Sequence, residues 1–193
     1  MYLKRNDEKS IIMLYLGDYT KQFYLREISR LTKIPLKTTQ NLITRLEKNK
    51  TLKSRLSGKN KYFRLNLENI ETKYYLLQTE QQKTLMFLEN HPECKTFAKQ
   101  IKNDAVIIIF GSFAKQTMTK HSDIDVMIIT KEDEKLPTHL LPYKVQAIKL
   151  SAKAFLQSLE KKETLIKEIE ENHVIINNHS WYVNTMWSYY GSR

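Results

Sequence analysis

Along the first third of the chain, apolar residues recur mainly at helical spacing. Ile11, Ile12, Leu14, Tyr15 and Leu16 give a first helix a broad apolar face, with Asn6 or Asp7 as its cap and Gly17-Asp18 as its end. Phe23, Leu25, Ile28 and Leu31 predict a short amphipathic helix over Tyr24–Thr32. Pro35 breaks the chain in the turn Lys33-Ile34-Pro35-Leu36, and Leu42, Ile43 and Leu46 mark a second helix from Lys37 to about Asn49. The period then changes to two. TLKSRL and KYFRLNL alternate around Ser57-Gly58-Lys59-Asn60, which predicts strand, turn, strand. From Glu68 to Asn90 there is no Gly or Pro. Tyr74, Leu77, Leu85, Phe87 and Leu88 are spaced for one long helix or two consecutive ones, ended by His91-Pro92.

The second half opens with short, β-branched apolar runs. Ala105–Phe110 and Asp125–Ile129 read as buried strands, and Tyr143–Leu150 as a third after the polar loop Lys131–Pro142 with its acids Glu132, Asp133 and Glu134. Ser151 is placed to cap a helix over Ala152–Leu159, and Thr164–Asn172 repeats the amphipathic pattern. His173–Ile176 is a short apolar strand or turn. Asn177-Asn178 follows it, where Asn tolerates a left-handed turn, and His179–Tyr190 is rich in aromatics (Trp181, Tyr182, Trp187, Tyr189, Tyr190). The pattern predicts an α+β chain of two domains, at residues 1–66 and 93–193, joined by a linker over 67–92.

Composition fits that division. The chain has 193 residues, 41% hydrophobic and 27% charged, enough for two small cores. Four Gly and four Pro argue against disorder. The single Cys94 requires no oxidising compartment, and the five histidines show no zinc-ligand spacing with it. Apolar runs of about six residues are too short to span a bilayer, which points to a cytoplasmic protein without membrane contact. Charge changes the picture more. Residues 1–66 hold 16 Lys/Arg against five acids, a net of +11, and residues 67–193 balance 16 against 16. A localised excess of this size is the footprint of a polyanion partner.

Candidate chemistry is concentrated in GSFAKQTMTKHSDIDVMII. Asp123 and Asp125 stand at i and i+2 and project from one strand face, where two carboxylates repel each other unless a hard cation such as Mg²⁺ or Mn²⁺ lies between them. Gly111 and Ser112 offer a tight turn with backbone N–H groups and a hydroxyl for a phosphate. Apolar strand, Gly-Ser, short helix, Asp-x-Asp strand: the constellation resembles the DNA polymerase β-like nucleotidyltransferase superfamily over roughly the C-terminal half. The resemblance implies a mixed α/β sheet with C-terminal helices, a nucleoside triphosphate on Gly111 and Ser112, and Asp123 and Asp125 as metal-binding and catalytic carboxylates. It also implies a third carboxylate on the following strand. One parity of that strand gives Val145, Ala147 and Lys149, the other Gln146, Ile148 and Leu150. Gln146, the best positional match, is neutral and unable to act as a base.

Residues 8–66 resemble the winged helix-turn-helix domains of MarR-like transcriptional regulators, carried by FYLREISRLTKIPLKTTQNLITRLEKNKTLKS. In such a fold the second helix of the pair enters the major groove of double-stranded DNA. Its expected outward face holds Lys37, Thr38, Thr39, Gln40, Asn41, Thr44, Arg45 and Lys48. The hairpin tip adds Arg55, Lys59, Asn60 and Lys61. The resemblance also makes the 67–92 segment a candidate homodimer helix, with a linker helix as the alternative. Two functions from different classes follow. One is a DNA-binding regulator whose second domain binds a metal-nucleotide. The other is an active nucleotidyltransferase acting on a protein, RNA or small-molecule hydroxyl. An antitoxin-like association with a toxin-type partner is a weaker third.

Overall fold

The computed structural model describes residues 7–101, 104–119, 121–131 and 136–192. Asn6, Glu132, Asp133 and Glu134 lie outside them. By its contacts the chain divides into one unit of Met1–Thr79 with Val183–Arg193 and a second of Glu80–Tyr182.

In the first unit α1 (Asp7–Met13) is shorter than its apolar run, yet the turns beyond it still bury Tyr15, Leu16 and Tyr19. The Tyr15 hydroxyl donates to the Phe63 carbonyl at 3.1 Å, and its burial pushes its acidity well below that of a free tyrosine. Strand β1 (Phe23–Tyr24) leads directly into α2 (Leu25–Thr32), which ends on Lys33 in the left-handed region at φ 56°. The turn to α3 (Leu36–Lys48) is fixed by two hydroxyls, Ser29 Oγ at 2.7 Å and Thr39 Oγ1 at 3.2 Å, both donating to the Ile34 carbonyl. Thr39 is therefore not on the outward face expected of it. It is fully buried beside Ile43 and Leu46, because positions 39, 43 and 46 share one helix face and an inward hydroxyl can be satisfied by the preceding turn. Strands β2 (Leu52–Ser57) and β3 (Asn60–Leu65) pair antiparallel, with Ser57 opposite Asn60, through a two-residue turn whose Gly58 has φ 58°. The sheet order is β1-β3-β2. Leu52, Phe63 and Leu65 close the core, while β2 becomes exposed from Ser54 to its tip.

Helix α4 (Ile70–Asn90) is a single element of 21 residues, which decides between the two readings of that stretch. Asn69 accepts from the Glu71 N–H at its start.

The second unit holds α5 (Cys94–Gln100), β4 (Val106–Phe110), α6 (Gly111–Lys115), β5 (Ile124–Ile129), a 3₁₀ turn (Thr138–Leu140) and β6 (Val145–Leu150). It continues with α7 (Ala152–Glu160), α8 (Thr164–Glu171), β7 (Val174–Asn177) and the start of α9 (His179–Gly191). The sheet order is β6-β5-β4-β7, with β5 parallel to β6 and the other pairs antiparallel. Every residue of β4 is buried, as expected of a central strand covered on both faces. The core gathers Phe87, Phe97, Ile107, Ile109, Phe113, Val126 and Ile128, among others. Cys94 is buried there too, and its thiol is pushed up to about 12 by that burial, so it is inert at neutral pH.

Ser151 caps α7 by accepting from the Ala154 N–H at 3.1 Å. Asn178 takes the left-handed turn at φ 58° and accepts from the Trp181 N–H, so one residue ends β7 and begins α9. Of the aromatics there, Tyr182 is buried in the core, and Trp181, half-buried, packs edge-on against the buried Phe155 at 5.7 Å between ring centres. Among the described residues no helix is long and apolar enough to cross a membrane.

A buried pair links α4 to α8 through the turn that follows α8. His173 Nδ1 donates to the Ile169 carbonyl at 2.7 Å, and its Nε2 faces Glu80 Oε1 at 2.9 Å. Both side chains are fully buried, so one proton lies between them. Burial alone would push the Glu80 carboxyl up. His173, then Lys83 and His179, more than offset it and hold the carboxyl below its ordinary value.

Candidate metal and phosphate site

The site is built where two strands end side by side. Phe110, the last residue of β4, pairs with Asp125, the second residue of β5. Immediately after Phe110 the backbone turns at Gly111, φ 66°, straight into α6. Any side chain there would strain the backbone and displace a carboxylate. A Cβ on Gly111 would lie 2.2 Å from Asp125 Oδ2, so the absence of a side chain is what admits the carboxylate. Ser112 follows, half-buried, at the start of this five-residue helix.

Asp123 stands just before β5 on the same parity as Asp125. On the neighbouring parallel strand Gln146 pairs with Asp125, and its Nε2 donates to Asp123 Oδ2 at 2.7 Å. Lys144 Nζ lies 3.4 Å from the same oxygen. The Gln146 hydrogen bond first, and the Lys144 ammonium after it, hold the Asp123 carboxyl below the ordinary range against a smaller opposing effect of burial. Asp125 moves the other way. Burial, the charge of Glu168 and the charge of Asp123 push it up, with Lys115 opposing. Lys115, the last residue of α6, donates to Glu168 Oε1 at 2.6 Å, so an ion pair between α6 and α8 lies close enough to Asp125 for both its charges to act there.

Gly111, Ser112, Asp123 and Asp125 are thus brought together, with Gln146 beside them where the strand parity placed it. Lys144, Lys115 and Glu168 were not singled out from the sequence. Lys144 shares the parity of Gln146 and was legible; Glu168 reaches the site only through the packing of α8. Among the described residues no group of three His, Cys, Asp or Glu side chains is placed to share a metal. Two carboxylates nonetheless suit one magnesium ion, which commonly takes one or two protein carboxylates and completes its shell with water and substrate phosphates.

On the first unit, Lys37, Thr38, Gln40, Asn41, Thr44, Arg45 and Lys48 are exposed on α3, as are Arg55, Lys59, Asn60 and Lys61 on the hairpin. A groove of about 630 Å³ runs between α3 and the hairpin, lined by Arg26, Gln40, Thr44, Glu47, Lys59 and Lys61, among others. Not all of the cations are unengaged. Arg45 Nε is bonded to Glu8 of α1, and Lys61 Nζ to Glu47 at 2.9 Å. The Thr44 hydroxyl donates to the Gln40 carbonyl within its own helix.

No curated protein and no solved structure matches the chain. A family model does: residues 91–184, the segment that holds both aspartates, Gly111 and Ser112, match the nucleotidyltransferase domain, and this part of the chain is a nucleotidyltransferase domain.

Proposed function

We propose that the chain is a DNA-binding transcriptional regulator whose N-terminal domain is a winged helix-turn-helix and whose nucleotidyltransferase domain binds a magnesium-nucleotide. For the first domain the supporting observation is the +11 excess in residues 1–66, together with an exposed α3 beside a two-stranded hairpin. Opposite the buried face of α3 stand Lys37, Asn41, Thr44 and Lys48, within reach of phosphates and base edges when the helix lies in a major groove. Binding of the wild type to duplex DNA from upstream of its own gene is expected to weaken with salt. Lys37→Ala with Lys48→Ala is expected to flatten the log–log salt slope by about 0.9 for each phosphate left without its lysine. An unchanged slope, measured by fluorescence anisotropy, would remove α3 from the interface.

For the second domain the carrying observation is the lateral pair of Asp125 and Gln146. Asp123 and Asp125 would hold one Mg²⁺ (or Mn²⁺), with the nucleotide's phosphates on Gly111 and Ser112. The bound ion would neutralise the phosphates and the two carboxylates. Gln146 cannot act as a base, so the reading is binding before transfer. Calorimetric titration with a nucleoside triphosphate and Mg²⁺ is expected to give binding in the wild type and none in Asp123→Ala/Asp125→Ala. Equal binding by the variant sinks this assignment.

A second reading, an active transferase moving a nucleotidyl group onto a protein, RNA or small-molecule hydroxyl, is favoured by one observation: Gly111, Ser112 and Asp125 stand together where β4 and β5 end side by side, with Asp123 just before β5. Label transfer from a radiolabelled triphosphate by the wild type would establish it. A homodimer through α4 and a toxin-type protein partner are compatible with either reading.

A further inference from the structure

The exposed face of α3 is flanked by an acid on each side, and each acid already holds one of the cations. Glu8 comes from α1 to Arg45; Glu47, on α3 itself, reaches across the groove to Lys61 of the hairpin. Gln40, Thr44 and Glu47 follow at i, i+4 and i+7, so Glu47 belongs to the stripe that lines the groove. An acid there is costly for a surface that only collects phosphates. It repels them, and a cation that must leave a carboxylate to reach a phosphate releases less counterion than a free one. The same carboxylate gains where the duplex presents a donor, and in the major groove a cytosine N4 amine is that donor.

From this geometry we infer that Glu47, seconded by Glu8, is a specificity-determining residue of the DNA interface, suppressing binding to arbitrary duplex and favouring sites that present a cytosine amine to α3. The inference rests on the proposed DNA-binding function. Lys37 and Lys48 supply the general attraction, while Lys61 and Arg45 engage DNA only when their acids find other partners.

The test compares the full-length wild type with Glu47→Gln on a random duplex and on a duplex selected in vitro for tight binding by the wild type. Glu160→Gln, the same charge change at an exposed position in the other unit, is the control. Glutamine still accepts a hydrogen bond from Lys61, so the fold is retained. Glu47→Gln is expected to bind random duplex more tightly than Glu160→Gln does, with a salt slope steeper by about 0.9. Its ratio of selected to random affinity is expected to fall by about tenfold, and cytosine-to-thymine changes in the selected site are expected to cost it little. If Glu47→Gln and Glu160→Gln behave alike on random duplex, or if the ratio is preserved, the role of Glu47 is overturned while DNA binding stands. A wild type that binds no duplex overturns both.

Discussion

Gln146→Glu is expected to make the nucleotidyltransferase domain, which on the proposed reading binds a nucleotide without transferring it, transfer label. The two side chains have the same shape, so the new carboxylate would stand where the amide now donates to Asp123 Oδ2 at 2.7 Å, laterally beside Asp125. Three carboxylates at that spacing repel one another without metal, and Asp125 is already raised by burial and neighbouring charge. The metal-free variant should therefore be less stable than the wild type. Added Mg²⁺ should stabilise it by more than it stabilises the wild type, because a ligand that binds only the folded form shifts the midpoint in proportion to its affinity. With the third carboxylate in place the site gains a group able to deprotonate an acceptor hydroxyl, a contribution of about 10²–10⁴ in rate. The readout is label transfer from a radiolabelled triphosphate with Mg²⁺ or Mn²⁺, wild type against Gln146→Glu, and Gln146→Glu with Asp123→Ala as the blank. Transfer by the wild type equal to that of the variant would show that Gln146 limits nothing and would move the function to the active reading.

How far that site could be read from the sequence depended on distance along the chain. Gly111-Ser112 and Asp123-x-Asp125 were legible because strand parity and a single glycine turn bring them together within one stretch. Gln146 followed from parity on the next strand. The Lys115–Glu168 pair was not legible, since the amphipathic pattern of α8 marks its buried face but not which element its polar residues meet. Period arguments also misplaced Thr39. They count apolar residues, whereas a threonine whose hydroxyl is taken up by the preceding turn fills an inward position as well as an alanine would. In the same way, the sequence shows Arg45 and Lys61 as cations, and only the packing of α1 and the hairpin against α3 shows the acids that hold them. Local order gave the mixed α+β pattern; the electrostatic state of each surface came from contacts between elements.

Glu80 is where such a contact has its largest effect on stability. Glu80→Leu is expected to cost about 3–5 kcal/mol, because it leaves His173 fully buried with Nε2 unpaired. Glu80→Leu with His173→Phe is expected to recover a large part of that loss, since an apolar pair of similar volume carries no desolvation cost, but not all of it, because the hydrogen bond to the Ile169 carbonyl is gone and Lys83 and His179 still lose the carboxylate that faces them. The pH dependence has a definite sign. A carboxyl held below its unfolded value stabilises the fold fully above that value and loses the contribution as pH falls through the folded one. The carboxylate's own share of the gap between wild type and Glu80→Leu should thus be full at neutrality and fade only below about pH 4. Urea unfolding followed through Trp181, in a Trp187→Phe background, reads the unit that contains the pair, because Trp181 packs on Phe155 within it. A double variant as unstable as the sum of its single variants would mean that Glu80 and His173 act separately, and a gap that does not narrow below about pH 4 would mean that the carboxyl is not held low in the folded protein.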